Sequence, residues 1–227
     1  GKLQDSLDIL TKAIESNKTT NEHDKHTLRS AYLHMGSVLI AQKRYKEALE
    51  SLRIALEISQ EKFGEESIEA ASCLNKIGFV CSELSRFGEA ITNLELAQKI
   101  LAKFPGEFEN ELCLSYQNAA KVYTKWGRLQ RAINNLEKAL ELKLNSFGND
   151  RDNAAGLYLE LSRVHLKKRN YKQALDVLNK GLDFTKNVYP NGHVKAADLF
   201  VEFHQISSSL GENSLALDLL NSALNTY

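Results

Sequence analysis

The sequence predicts an all-α fold, a solenoid of stacked helix–turn–helix units, and three observations carry the prediction. The first is a phrase that returns every 42 residues, as Tyr45-Lys46-Glu47-Ala48-Leu49, Phe87-Gly88-Glu89-Ala90-Ile91, Leu129-Gln130-Arg131-Ala132-Ile133 and Tyr171-Lys172-Gln173-Ala174-Leu175. Leu3-Gln4-Asp5-Ser6-Leu7 and Asn213-Ser214-Leu215-Ala216-Leu217 sit in the same register. A constant period of this length marks units that stack on their neighbours, not a closed domain around one core. The second observation is apolar spacing at three- and four-residue steps within every unit. The third is proline. Pro105 and Pro190 are the only two in 227 residues, as suits a chain that is nearly all helix, because proline removes a donor and clashes inside helices.

The elements follow in order. Gly1-Lys2-Leu3-Gln4 mirrors Gly127-Arg128-Leu129-Gln130, the turn between the two helices of a unit. The chain is therefore expected to begin on the second helix of a cut repeat, 1–17, and to be a fragment of a longer protein. Repeats are then expected at about 28–62, 70–104, 112–146, 154–188 and 196–227, as one solenoid over residues 1–227. The first helix of a unit is visible in Tyr32-Leu33-His34-Met35-Gly36-Ser37-Val38-Leu39 and in Leu74-Asn75-Lys76-Ile77-Gly78-Phe79-Val80-Cys81. Its apolar positions form one sticky face. The second helix carries a small residue, a leucine four later and a small residue three later: Ala48-Leu52-Ala55, Ala90-Leu94-Ala97, Ala132-Leu136-Ala139 and Ala174-Leu178-Gly181. Ser6-Leu10-Ala13 and Ala216-Leu220-Ala223 keep the pattern. Steps of four and three put each trio on one stripe, where small residues let helix backbones approach and leucine fills the gap. In the last unit His204 and Ser207 stand where Gly36 and Leu39 do, and Ser207-Ser208-Ser209 is expected to end its first helix early. Tyr227 closes another second helix with no polar cap after it, so the ends are expected to expose apolar surface.

The run from Tyr32 through Met35, Gly36 and Leu39 to Ala48, Leu52 and Ala55 resembles a tetratricopeptide repeat. The period exceeds the usual ~34 residues, and the gap from Ala55 to Ala71 places the excess in a longer second helix and its outgoing loop. This longer form is similar to the kinesin light chain type of repeat. Two features carry the likeness. One is Asn118-Ala119-Ala120 followed by Tyr123 and Gly127-Arg128-Leu129. The other is the loop after the second helix, with Phe63-Gly64, Pro105-Gly106, Phe147-Gly148 and Tyr189-Pro190 in one register. The resemblance implies a right-handed superhelix whose first helices line a concave face, and a groove that receives cargo peptides of acidic character.

Composition narrows the functions. Lys plus Arg and Asp plus Glu are both 29, so no basic excess points to nucleic acid, which needs one to neutralise phosphates. No run approaches the ~18 apolar residues of a membrane span, and no membrane insertion is expected. Cys73, Cys81 and Cys113 lie in helical apolar patterns. They read as small buried hydrophobes in a reducing, cytoplasmic compartment. His23 and His26, three apart in the polar stretch Asn21–His26, lack further ligand residues and read as a solvated loop. Asn17-Lys18-Thr19 fits a glycosylation sequon that reads as chance in such a compartment. Trp126, beside Gly127, reads as local packing. With no phosphate loop, metal-ligand pair or nucleophile elbow in the sequence, neither catalysis nor a cofactor or metal is expected.

What remains is a surface. Mapped through the internal register, the inward positions of the first helices give a candidate peptide-binding groove of Asn75, Lys76, Gln117, Asn118, Lys121, Lys125, Glu160, Arg163 and Lys167. Ser37 and Phe79 occupy the register of Lys121 and Arg163, and Ser30 is a further inward position. The amides suit the backbone of an extended peptide. The strip of Lys121, Lys125, Arg163 and Lys167, with Lys76 nearby, favours an acidic peptide and speeds its capture. The expected function is thus a protein-interaction scaffold or adaptor, with a role in cytoskeletal transport implied by the resemblance. The alternative is an architectural segment of a large cytoskeletal or ciliary assembly. That reading uses the second-helix faces, at residues such as Leu96, Lys99, Asn135 and Lys138, and homo-oligomeric or end-to-end contacts.

Overall fold

A computed structural model describes residues 2–17, 22–145, 154–188, 201 and 204. Among them the chain is all-α. The helices in order are α1 (Lys2–Asn17), α2 (Glu22–Ala41), α3 (Tyr45–Phe63), α4 (Ile68–Glu83), α5 (Phe87–Leu101), α6 (Glu109–Lys125), α7 (Leu129–Asn145), α8 (Ala154–Lys167) and α9 (Tyr171–Val188). Second-type helices begin at Tyr45, Phe87, Leu129 and Tyr171, at the expected interval. All of the repeat at 196–227 except Val201 and His204, with its Ala216-Leu220-Ala223 trio, lies outside the described residues, as do the sequon residues Lys18 and Thr19. So do the Phe147-Gly148 and Tyr189-Pro190 loops.

The chain divides into two compact units, Gly1–Val122 and Tyr123–Tyr227, with the boundary inside α6. In the first unit α1 packs on α2, α2 on α3, α3 on α4 and α4 on α5. In the second, α7 packs on α8 and α8 on α9. Each of these pairs joins helices adjacent in the chain, the nearest-neighbour arrangement of a repeat array.

The repeated trios are the reason. Ala48, Leu52, Ala55, Ala90, Leu94 and Ala97 have no solvent exposure at all. In the second unit Ala132, Leu136, Ala139, Ala174, Leu178 and Gly181 are likewise buried. Gly36 and Gly78 mark where paired helices come closest. A Cβ on Gly36 would lie 2.7 Å from Leu52 Cδ2, and one on Gly78 would lie 2.5 Å from Leu94 Cγ. The leucine of each second helix therefore occupies the space that glycine leaves on the first. In the last described repeat Ser162 holds the glycine position, buried, with its hydroxyl donating to the Leu159 carbonyl at 2.8 Å. On α1 the pattern is looser, with Ser6 and Leu10 only half-buried.

The turns between paired helices share one device. Lys43, Ser85, Gly127 and Arg169 all have φ near +60° to +77° and follow one another at the repeat interval. At each, the next residue's N–H reaches back five residues: Arg44 to Leu39 O at 2.9 Å, Arg86 to Cys81 O at 2.8 Å, Arg128 to Tyr123 O at 2.8 Å and Asn170 to His165 O at 2.9 Å. This is the 6→1 bond of a Schellman cap, which satisfies the last carbonyls of the first helix before the chain reverses. The longer loop between repeats follows a second left-handed stop, Gly64 with φ +93°, and Ser67 then caps α4 by accepting from Ala70 N–H. Pro105-Gly106 fills the same place after α5, with Gly106 at φ +84°.

One expectation is corrected. The stretch holding His23 and His26 is not a loop, because α2 begins at Glu22. The sequence there opens with Glu22 and Asp24, and acidic residue types are favoured in a helix's first turn. His26 lies edge-on to Phe63 of α3, ring centres 6.4 Å apart.

Candidate peptide-binding face

In the first unit the first helices α2, α4 and α6 together line a depression of about 260 Å3. Its walls are Ser37 and Ile40 from α2, Asn75, Lys76 and Phe79 from α4, and Leu114 and Asn118 from α6. Three candidate residues, Asn75, Lys76 and Asn118, are brought together here. Asn75 is 7% exposed, and its side-chain oxygen is buried without a hydrogen-bond partner. Such a group costs about 1–3 kcal/mol while unpaired, and rotation of the amide towards the depression would let a donor arriving from outside recover that energy. The Lys76 ammonium donates to Ser37 Oγ at 3.2 Å, which leaves further N–H groups for an incoming anion. Ile40, Phe79 and Leu114 supply an apolar floor, and Leu114 is 51% exposed. The depression can therefore hold an apolar side chain while polar groups at its rim meet a backbone or a carboxylate.

The other candidates are dispersed. Gln117, half-buried, and Lys121, exposed, are on α6 in the first unit and do not line the depression. Glu160, half-buried, and Arg163 and Lys167, both exposed, stand on α8 in the second unit. Lys125 and Lys167 are the last residues of α6 and α8 and so lie beside the turns.

Ile40 and Leu114 were missing from the expected set. Leu114 stands one period beyond Ser72 and two beyond Ser30. Ser30 is an inward position, and following its register forward would have found Leu114.

Reactive side chains are held quiet. All three cysteines are buried and unoxidised. Burial raises the Cys73 thiol, which sits 3.5 Å from Ser59 Oγ. Burial, then the Glu89 carboxylate, pushes Cys81 up to about 11. Little thiolate, the nucleophilic form, is present at neutral pH. Among the described residues no three His, Cys, Asp or Glu side chains are grouped to hold a metal ion. None of the described helices is long and apolar enough to cross a membrane.

The fold and this face define the class. The tetratricopeptide repeat profile matches residues 27–103, 74–145 and 110–187. Together these matches span most of the chain, so the protein belongs to the tetratricopeptide repeat family. No curated protein matches it. Solved structures do, at low identity. A Podosopora anserina protein described as a kinesin light chain with nearly identical TPR-like repeats is 18% identical, with a TM-score of 0.75 over 91% of this chain and 97% of that one. BtubC (BKLC) from P. vanneervenii is 16% identical, with a TM-score of 0.79 over 100% of this chain and 91% of that one. YrrB, a TPR protein with an unusual peptide-binding site, is 19% identical, with a TM-score of 0.54 over 96% of this chain and 91% of that one. At these identities the likeness is one of fold, and it includes the kinesin light chain form of the repeat.

Proposed function

We propose that this chain is a non-enzymatic interaction scaffold whose first-helix face, in the first unit, takes a short extended peptide. The observation that carries the reading is the buried, unpartnered Asn75 oxygen at the wall of an open depression built by three successive first helices. A peptide N–H would satisfy that oxygen, Asn118 would meet the next peptide group, and an apolar side chain would cover Phe79 and Leu114. Lys76 and Lys121 bias the choice towards an acidic peptide, and Arg163 and Lys167 on α8 of the second unit are separate members of the candidate set. Gln117, Lys125 and Glu160 belong to the same candidate set. Resemblance to kinesin light chain repeats suggests a cytoplasmic adaptor acting on the cytoskeleton, and YrrB offers a fold-level parallel for peptide capture.

Titration of an acidic peptide library tests it by fluorescence anisotropy on the whole chain and on Asn75→Leu and Lys121→Glu. The reading requires Asn75→Leu to weaken the best peptide about tenfold or more, in line with ~1–3 kcal/mol for a buried group's hydrogen bond. Equal affinity before and after both changes removes the groove.

A second reading has its own support. Ile54 on α3 and Leu96 on α5 are one period apart and 37% and 41% exposed. Repeated apolar positions on second helices suit an architectural segment covered by a neighbour. Sedimentation over a wide concentration range discriminates. Self-association that Ile54→Lys and Leu96→Lys abolish favours this reading, and a concentration-independent monomer counts against self-assembly through those faces.

A further inference from the structure

Overall neutrality hides a local imbalance. No acidic residue occurs between Glu111 and Glu137, or between Glu160 and Asp176. These stretches contain two inter-helix turns of the second unit, α6 to α7 and α8 to α9. The turns are neighbours, since Lys168 Nζ donates to Gln130 Oε1 across them.

Comparison along the register shows what changed. In the first unit the arginine after each left-handed turn residue is neutralised three positions later. Arg44 grips Glu47 with two bonds, Nε to Oε1 at 2.7 Å and Nη2 to Oε2 at 2.5 Å. Arg86 pairs with Glu89 at 3.7 Å. In the second unit the same two positions are Arg128 and Arg131. The acid has become a second base, and both guanidiniums turn to rings. Arg128 lies over Trp126 at 5.6 Å and Arg131 over Tyr123 at 5.8 Å. The rings themselves stack, centres 6.5 Å apart and 6° from parallel. Lys168, Arg169 and Lys172, all exposed, extend the cluster on the next turn. None of these five cations is in an ion pair among the described residues.

We propose that this turn edge of the second unit is a docking surface for an acidic polypeptide segment, additional to the first-helix face. Charge complementarity names the partner. A guanidinium drawn to a ring face by cation–π attraction still has N–H donors to offer a carboxylate. Trp and Arg are also the residues that most often dominate interface energies, and Trp126 is 40% exposed. An RNA strand is a poorer fit. Base stacking needs open ring faces, whereas Trp126 already shares its ring with Tyr123 and Arg128. Lys plus Arg and Asp plus Glu are equal over the chain, so no overall basic excess favours a phosphate backbone.

The test is a titration of the whole chain with a fluorescent Asp/Glu-rich dodecapeptide at low and high salt, and in parallel with an RNA oligonucleotide of similar charge. The key variant is Arg131→Glu, which restores the arrangement that Glu47 and Glu89 already support in this fold. Lys168→Glu is the second, and circular dichroism checks folding in both. The inference requires salt-sensitive binding of the acidic peptide that Arg131→Glu and Lys168→Glu each weaken about tenfold, whether or not Asn75→Leu also weakens it through the first-helix face. Loss in Asn75→Leu but not in Arg131→Glu would overturn it and leave the first-helix groove standing. RNA bound more tightly than the peptide, or no binding of either, would also overturn it.

Discussion

Single residues decide how closely the paired helices approach, and glycine shows it by contrast. At Gly78 an added methyl group would meet Leu94 Cγ at 2.5 Å and the Ala90 carbonyl oxygen at 3.1 Å, so both side chain and backbone block it. Gly156 on α8 has nothing within 4 Å of the same added atom. Overpacking a close helix crossing costs typically 1–3 kcal/mol, whereas replacing an unconstrained helical glycine by alanine gains about 0.5–1 kcal/mol. Gly78→Ala is therefore expected to lower the urea midpoint and Gly156→Ala to raise it. Two shifts of the same sign would contradict the assigned packing. The sequence distinguished these glycines in part, because Gly36 and Gly78 recur at one register position opposite Leu52 and Leu94. It could not reveal that Asn75 is buried with an unpaired oxygen. Asn75 shares its register with Leu33 and Gln117, and burial there depends on what the neighbouring first helices bring.

At the scale of elements, the fold was legible where a physical period is strong. The trio of small residue, leucine and small residue marks every described second helix, because one stripe at steps of four and three must face another helix. Starts of first helices were less legible, since no core residue marks them. That is why α2 begins at Glu22, ahead of the expected repeat boundary. The turns show a third case. Four residues of unlike chemistry, Lys43, Ser85, Gly127 and Arg169, adopt the same left-handed conformation, because the Schellman bonds and the packed helices on either side impose it. Only Gly127 adopts it without steric strain. A Cβ in that region costs roughly 1–2 kcal/mol, partly offset because alanine also restricts the unfolded chain. Gly127→Ala is expected to destabilise by about 1 kcal/mol, read as a fall in melting temperature with secondary structure unchanged. An unaltered melting temperature would mean that the turn relaxes freely and that the shared hydrogen bond does not hold the two helices together.

At the scale of the whole molecule, charge balance conceals an ordered response to acid. His165 on α8 is 9% exposed, its Nδ1 has no hydrogen-bond partner, and it occupies the register of Leu39. Burial holds its pKa below the ordinary 6.5. Glu137 opposes that shift and Lys168 adds to it. The unfolded chain thus takes up a proton that the folded chain resists, so this contribution to stability is complete above pH 6.5 and declines as pH falls below it. Glu47 and Glu66 act later. Hydrogen bonds from Arg44 and from Lys103 hold their carboxyls below the ordinary 4.5. Their contribution is present above pH 4.5 and lost as pH falls towards their folded values, and because both are exposed it is small and sensitive to salt. His165→Leu separates the two phases. The variant replaces a buried, unpaired nitrogen with the residue that an earlier repeat uses at this place. It is expected to be more stable than the parent at pH 7.5, and more so at pH 5, with the onset of acid loss moved from near pH 6.5 to near pH 4.5. Urea unfolding across pH 4 to 8 measures this directly, and a stability difference between parent and variant that stays constant over the range would show that His165 carries no proton linkage.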